Sequence, residues 1–119
     1  MSRYFSDLET RSDADRAAAI AKELPEQIRR AQALPAYATT LADVSADAIK
    51  SVDDLAALPV TRKSALVEAQ KQNAPLGGFT GPITGFAQVF QSPGPIYEPG
   101  NTSHDWWRIG RFLSAVGIG

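Results

Sequence analysis

Near residue 73 this 119-residue sequence changes character, and any fold it reaches must respect that change. Before residue 73 the chain is rich in alanine and carries apolar residues at helical spacing. Beyond it glycine and proline dominate, and all nine glycines lie there. Glycine raises the entropic cost of ordering a helix, and proline breaks its hydrogen-bond ladder. The pattern therefore predicts a helical region over residues 1–73, then a Gly/Pro-rich loop, a strand, a second loop and a helix over residues 74–119. The expected class is mainly α, with several short helices and one or two short strands. The length suits one small domain or one truncated part of a larger one.

Ser12-Asp13-Ala14-Asp15 reads as a helix start. It supplies a hydroxyl to cap free amides and acids to suit the positive end of the helix dipole. Ala17, Ile20 or Ala21, Leu24, Ile28, Ala31 and Leu34 then recur every three or four residues as one apolar stripe. Pro25 interrupts the stripe, and its ring does not suit a regular helix interior, so a kink or a junction of two helices is expected there. Pro35 ends or redirects the run, with a short helix over 35–41 that puts Tyr37 and Leu41 on one side. Two brief helical turns follow between 43 and 58. Ser45 is placed to cap the first, over 46–50. Ser51 is placed to cap the second, where Ser51-Val52-Asp53-Asp54 has capping-box spacing. Leu55 and Leu58 would anchor that second turn to the core. Thr61 is the expected cap of a helix over 62–72, with Ala65, Leu66 and Ala69 facing inward.

Residues 73–82 carry loop signals throughout. Residues 86–91 read as a short strand through Phe86, Val89 and Phe90. Three prolines and two glycines between 92 and 100 exclude a helix or a central strand there. Thr102-Ser103-His104-Asp105 has capping-box spacing, ahead of a helix carrying Trp106, Ile109, Leu113 and Val116, with Gly117 as its C-cap. A single strand makes no sheet, so its partners are expected outside this sequence.

Twelve basic residues face thirteen acidic ones, a net charge of −1, which builds no field for nucleic acid or an anionic membrane. Arg29-Arg30 and Arg62-Lys63 read as solvated helix faces. The chain has no cysteine, which removes disulfides, thiolate zinc sites and a thiol nucleophile. Its first residues lack the apolar core of a secretory signal, and no stretch approaches the roughly 20 apolar residues of a membrane span. A soluble, cytoplasmic protein is expected.

Strand, Gly/Pro-rich loop and capped helix form the one arrangement here with an evident chemical use. Backbone amides and a helix N-terminus suit a phosphate. The candidate residues are Ser92, Gly94, Tyr97 and Glu98. Prolines at 93, 95 and 99 remove amides, and the G-x-x-x-x-G-K-[ST] pattern is missing, which excludes a P-loop NTPase. Tyr97 and Glu98 either face a ligand or pin the loop. His104, the single histidine, suits a cap or the surface. Trp106 and Trp107 could stack on a ligand, although helical spacing puts at least one in the core. Gly77-Gly78-Phe79 is a connector or a flexible lid. No metal set, Ser/His/Asp set or carboxylate pair stands out.

At Leu58-Pro59-Val60-Thr61-Arg62-Lys63 the chain resembles the phenylacetate-CoA ligase family of AMP-forming ligases. Three further elements follow the family's order: Glu9-Thr10-Arg11-Ser12, Pro35-Ala36-Tyr37, and Val89-Phe90-Gln91-Ser92, where that family has a strand feeding its ATP phosphate loop. The resemblance implies ATP-dependent activation of a carboxylic acid, often aromatic, as an acyl-adenylate, followed by transfer to CoA. ATP, CoA and Mg would serve the whole ligase, and none is expected to bind tightly to this stretch alone. The stretch would be the N-terminal part of a larger α/β adenylate-forming domain. The family's loop is rich in Ser, Thr and Gly and ends in Lys-Pro. Here it reads Ser92-Pro93-Gly94-Pro95-Ile96-Tyr97-Glu98-Pro99, and only Ser92, Gly94 and Pro99 fit. The implied partners are the remainder of the ligase, or a second copy through exposed apolar surface. The alternative reading is a non-catalytic helical interaction module derived from this family.

Overall fold

The computed structural model describes residues 4–82 and 85–118. Its helices are α1 (Asp13–Gln32), α2 (Pro35–Thr40), α3 (Lys63–Gln72) and α4 (Ile109–Ala115), with 3-10 turns at Asp7–Glu9, Ala46–Ala48 and Asp53–Ala57. Strands β1 (Gln88–Ser92) and β2 (Ile96–Gly100) pair antiparallel between α3 and α4. The described residues are mainly helical with one two-stranded sheet.

Helix α1 starts as its sequence dictates. Ser12 Oγ accepts the Asp15 amide at 3.1 Å and donates to the Asp15 carboxylate at 2.6 Å. The helix continues through Pro25, so the junction of two helices expected there does not form. Proline in a helix interior costs about 3 kcal/mol. Against that, Pro25 and Ile28 are both buried in a helix that packs on α2 and the Ala46–Ala48 turn. Removing one Ile from water contributes about 1.5–3 kcal/mol, so the burial of Ile28 and of Pro25 itself offsets the missing bond, with Ile20, Ala21 and Leu24 half-buried ahead of the proline. Pro35 opens α2 at its first position, where no amide is needed. Gln32 Nε2 then donates to the carbonyls of Leu41 (3.0 Å) and Val44 (2.8 Å), stitching the next loop onto α1. Arg29 is an ion-paired residue rather than a merely solvated one, bonded to Glu26 at 2.7 Å and to Asp47.

The Ser51–Asp54 box forms. The Asp54 amide donates to Ser51 Oγ at 3.2 Å, and Asp54 Oδ2 accepts the amides of Lys50 (2.9 Å) and Ser51 (2.8 Å). Ser45 makes no capping bond, and Leu55 stays exposed because no element packs broadly on that turn. Thr61 lies one residue too early to cap α3, whose N-cap position belongs to Arg62 without a side-chain bond. On α3, Leu66 and Ala69 are half-buried, Ala65 is exposed, and the buried residue is Gln70.

The two halves meet through the loop after α3. The Ala36 amide donates to the Gly78 carbonyl at 3.0 Å, and Tyr37 meets Phe79 edge to face at 5.1 Å. Gly77 sits at φ +68, and a Cβ there would lie 3.2 Å from the Ala69 carbonyl carbon, so this close approach requires glycine.

The radius of gyration is 17.2 Å, with extents of 50 × 34 × 24 Å. A compact chain of this length has a radius of about 13–14 Å. The molecule is elongated and its core is thin. Among the described residues the buried apolar side chains are Ile28, Leu41, Ile49, Leu76 and Ile96. No helix among them is long and apolar enough to cross a membrane.

Candidate functional site

β1 ends at Ser92 and pairs it with Ile96, which leaves Pro93, Gly94 and Pro95 as the turn. The prolines preset the bend and offer no amide. The stretch read from sequence as one loop over 92–100 is therefore a tight turn and a strand. Pro99 is tolerated in β2 because a two-stranded sheet has only edge strands. β1 finds its partner inside the chain, which corrects the expectation that the partner lies elsewhere.

Strand β2 is held by α3. Gln70 Nε2 donates to the Tyr97 carbonyl at 2.8 Å, and Gln70 Oε1 accepts the Tyr97 amide at 2.8 Å. The buried glutamine thus behaves as a third strand one residue wide. Each such bond contributes about 0.5–1.5 kcal/mol net, and leaving both groups unpaired in a half-buried place costs more. Nothing in local periodicity points to Gln70. Its one sequence signal is a polar side chain four residues after Leu66, on the face that α3 turns inward.

The expected phosphate cradle has a different shape from the one read in sequence. Among its candidate residues, Ser92 is half-buried at the end of β1 and Gly94 is exposed in the turn. The Tyr97 amide is already bonded to Gln70, and Glu98 is exposed. No helix follows the turn, because β2 intervenes and α4 begins only at Ile109. The helix start predicted at residues 102–105 is also displaced. Ser103 donates its amide to Asn101 Oδ1 at 2.9 Å, and Asp105 and Arg108 take positive φ values of 50° and 56°. Asp105 Oδ1 then accepts the Gly110 amide at 2.9 Å and caps the shorter helix. The aromatic rings account for the change. Trp107 meets Phe90 edge to face at 5.0 Å and Trp106 at 4.6 Å, which holds both indoles on the hairpin rather than on a helix. Gly117, at φ +82, closes α4 as expected: its amide bonds Ser114, and the Ile118 amide bonds Leu113 at 2.8 Å.

Between α3, the 76–80 loop, the hairpin and the two tryptophans lies a cleft of about 370 Å³. Its floor is Leu66, Leu76 and Ile96, and its walls are Phe79, Phe90, Tyr97, Trp106 and Trp107. Gln70, Thr80 and Glu98 are its polar members. Sequence reasoning names Trp106, Trp107, Tyr97 and Glu98 as ligand-facing candidates, and the fold brings those four together. It misses Phe90 and Gln70, while Phe79 belongs to the segment read as a connector or lid. His104 is exposed and lines none of this cleft. Among the described residues no group of three or more His, Asp or Glu is arranged to hold a metal.

Compared with protein-family models, with curated proteins and with solved structures, the chain matches none.

Proposed function

We propose that this chain is the leading section of an ATP-dependent ligase that activates a carboxylic acid as its acyl-adenylate and passes it to CoA. The observation that carries the reading is the place of the hairpin turn. Four sequence elements follow the order of the phenylacetate-CoA ligase family, and the fourth is β1, which runs into the 93–95 turn where that family has its phosphate loop. An aromatic acid suits the family resemblance, and a cytoplasmic location suits a cysteine-free chain that uses ATP.

The chain's own residues do not fit a magnesium site, since no cluster of ligands forms among the described residues. They fit triphosphate poorly as well. Two turn positions are proline, the Tyr97 amide is taken, and Glu98 would repel phosphate. The isolated chain is therefore expected to be inactive, with ATP, CoA and magnesium held mainly by other groups of the ligase. Calorimetric titration of ATP into this chain and into the full product of its gene tests the reading. Binding by the full product alone, together with acid-dependent pyrophosphate release, supports it. No ATP binding by either rules it out.

A second reading is a helical interaction module without chemistry. It is favoured by the apolar run on and around α4, where Ile109, Phe112, Val116 and Ile118 are each more than half exposed. Sedimentation at rising concentration should show self-association that Phe112→Ser abolishes. A monomer at every concentration counts against that module in its self-associating form.

A further inference from the structure

The cleft beside the hairpin has a chemistry that neither phosphate nor a carboxylic acid would choose. Its volume, about 370 Å³, lies in the range of small-molecule sites. Phe90, Trp107 and Trp106 stand in series, each ring turned about 76° to the next, and all three line the cleft. A wall built largely of aromatic rings suits a cation, which the π-systems attract. The polar members divide sharply. Gln70 spends its amide on the Tyr97 backbone, and Thr80 Oγ1 donates to the Gly81 carbonyl at 3.1 Å. Glu98 makes no ion pair among the described residues and is the one ionisable acid or base, tyrosine aside, that lines the cleft.

We propose that this cleft binds a small organic monocation, an ammonium group carried on an apolar or aromatic body. The body would lie on Leu66, Leu76 and Ile96, and the ammonium would sit against Trp107 with Glu98 as its counter-charge. The same carboxylate disfavours anions, so the site is separate from the seat of an acid substrate and does not depend on the ligase reading.

Benzyltrimethylammonium is the probe, titrated calorimetrically into the intact chain beside its uncharged carbon isostere, neopentylbenzene, and beside phenylacetate. The cation is expected to bind at least tenfold more tightly than either, since a difference of about 1.4 kcal/mol is within the reach of aromatic and carboxylate contacts together. Glu98→Gln should weaken it about tenfold. Trp107→Ala should abolish it, and Trp107→Phe should restore part of it. Circular dichroism of each variant checks that the fold persists. Equal binding of cation and isostere overturns the proposal. So does preference for phenylacetate, or a Glu98→Gln variant that binds unchanged and keeps its spectrum. Calorimetry of ATP on the same samples is independent, so failure here leaves the ligase reading standing and failure there leaves this one.

Discussion

The two ends of this molecule reach order by opposite routes. Around α1 and α2, most of the caps lie close to their partners in sequence, with Arg29–Asp47 and Gln32–Val44 as longer links. Ser12 caps Asp15, Pro35 opens α2, Ser51 and Asp54 cap each other, and an apolar stripe on α1 buries Ile28. Around the hairpin, the deciding contacts bridge long separations. Gln70 clamps Tyr97 across 27 residues, and Phe90 meets Trp107 across a turn and a strand. The first end rests on a buried side chain as well as local caps, whereas the hairpin hangs on a few distant polar and aromatic contacts. The second end also leaves more apolar surface in water, on Trp107, Ile109 and Phe112.

Substitutions can break or sharpen that contrast. The largest effect is expected from Ile28→Ala, which leaves a cavity where α1, α2 and the Ala46–Ala48 turn meet. It should cost about 2–5 kcal/mol in urea unfolding, whereas Ile109→Ala, at a side chain 56% exposed, should stay within about 0.5 kcal/mol. Similar costs at the two sites would show that the C-terminal end is as well packed as the N-terminal one. Next comes Gln70→Ala. Loss of both bonds to Tyr97 should cost about 1–3 kcal/mol and speed amide exchange at residues 96–98 while α1 keeps its protection. Equal loosening of α1 would mean that the two ends fold as one unit.

Ser12→Ala should cost about 1 kcal/mol, confined to the first turn of α1 and read by amide exchange at residues 13–16. The smallest effect concerns pH. The amide of Lys50, then the hydroxyl and amide of Ser51, hold the Asp54 carboxyl below its ordinary value of 3.8. A carboxylate whose folded pKa is lowered stabilises the fold above its unfolded pKa, and that contribution fades as pH falls through the folded value. The Ser51–Asp54 box should thus persist at neutral pH and open below about pH 3.8. An NMR titration of the Asp54 carboxyl with its midpoint at or above 3.8 would show that the box does not form in solution.

The same contrast explains which parts could be read in advance. The caps at Ser12 and Ser51 were legible because a cap needs only a hydroxyl or carboxylate three residues from an amide, whereas Ser45 and Thr61, of the same type, make no cap. Of the kink or junction expected at Pro25, the junction does not form, since the proline's cost is local while its compensation is burial with Ile28. In the second half, residues 92–100 resembled a loop because proline and glycine were weighed without their partner strand. The helix predicted from residue 106 had correct spacing and still started late, because Trp106 and Trp107 gain more from Phe90 and each other than from a regular helix. Of the cleft, four aromatic or charged members drew notice by type. Gln70 and Phe90 did not, as their roles depend on neighbours distant in the chain.

By itself, then, the sequence determined a mainly helical chain with its punctuation near residue 73, its caps at Ser12 and Ser51 and its C-terminal stop at Gly117. All of these rest on interactions within about one helical turn. Only the tertiary structure decided that Pro25 lies inside one helix, that β1 and β2 pair with each other, and that Glu98 faces an aromatic cleft. Those outcomes rest on which surfaces are buried together, a property of residues that meet in space after long stretches of intervening chain.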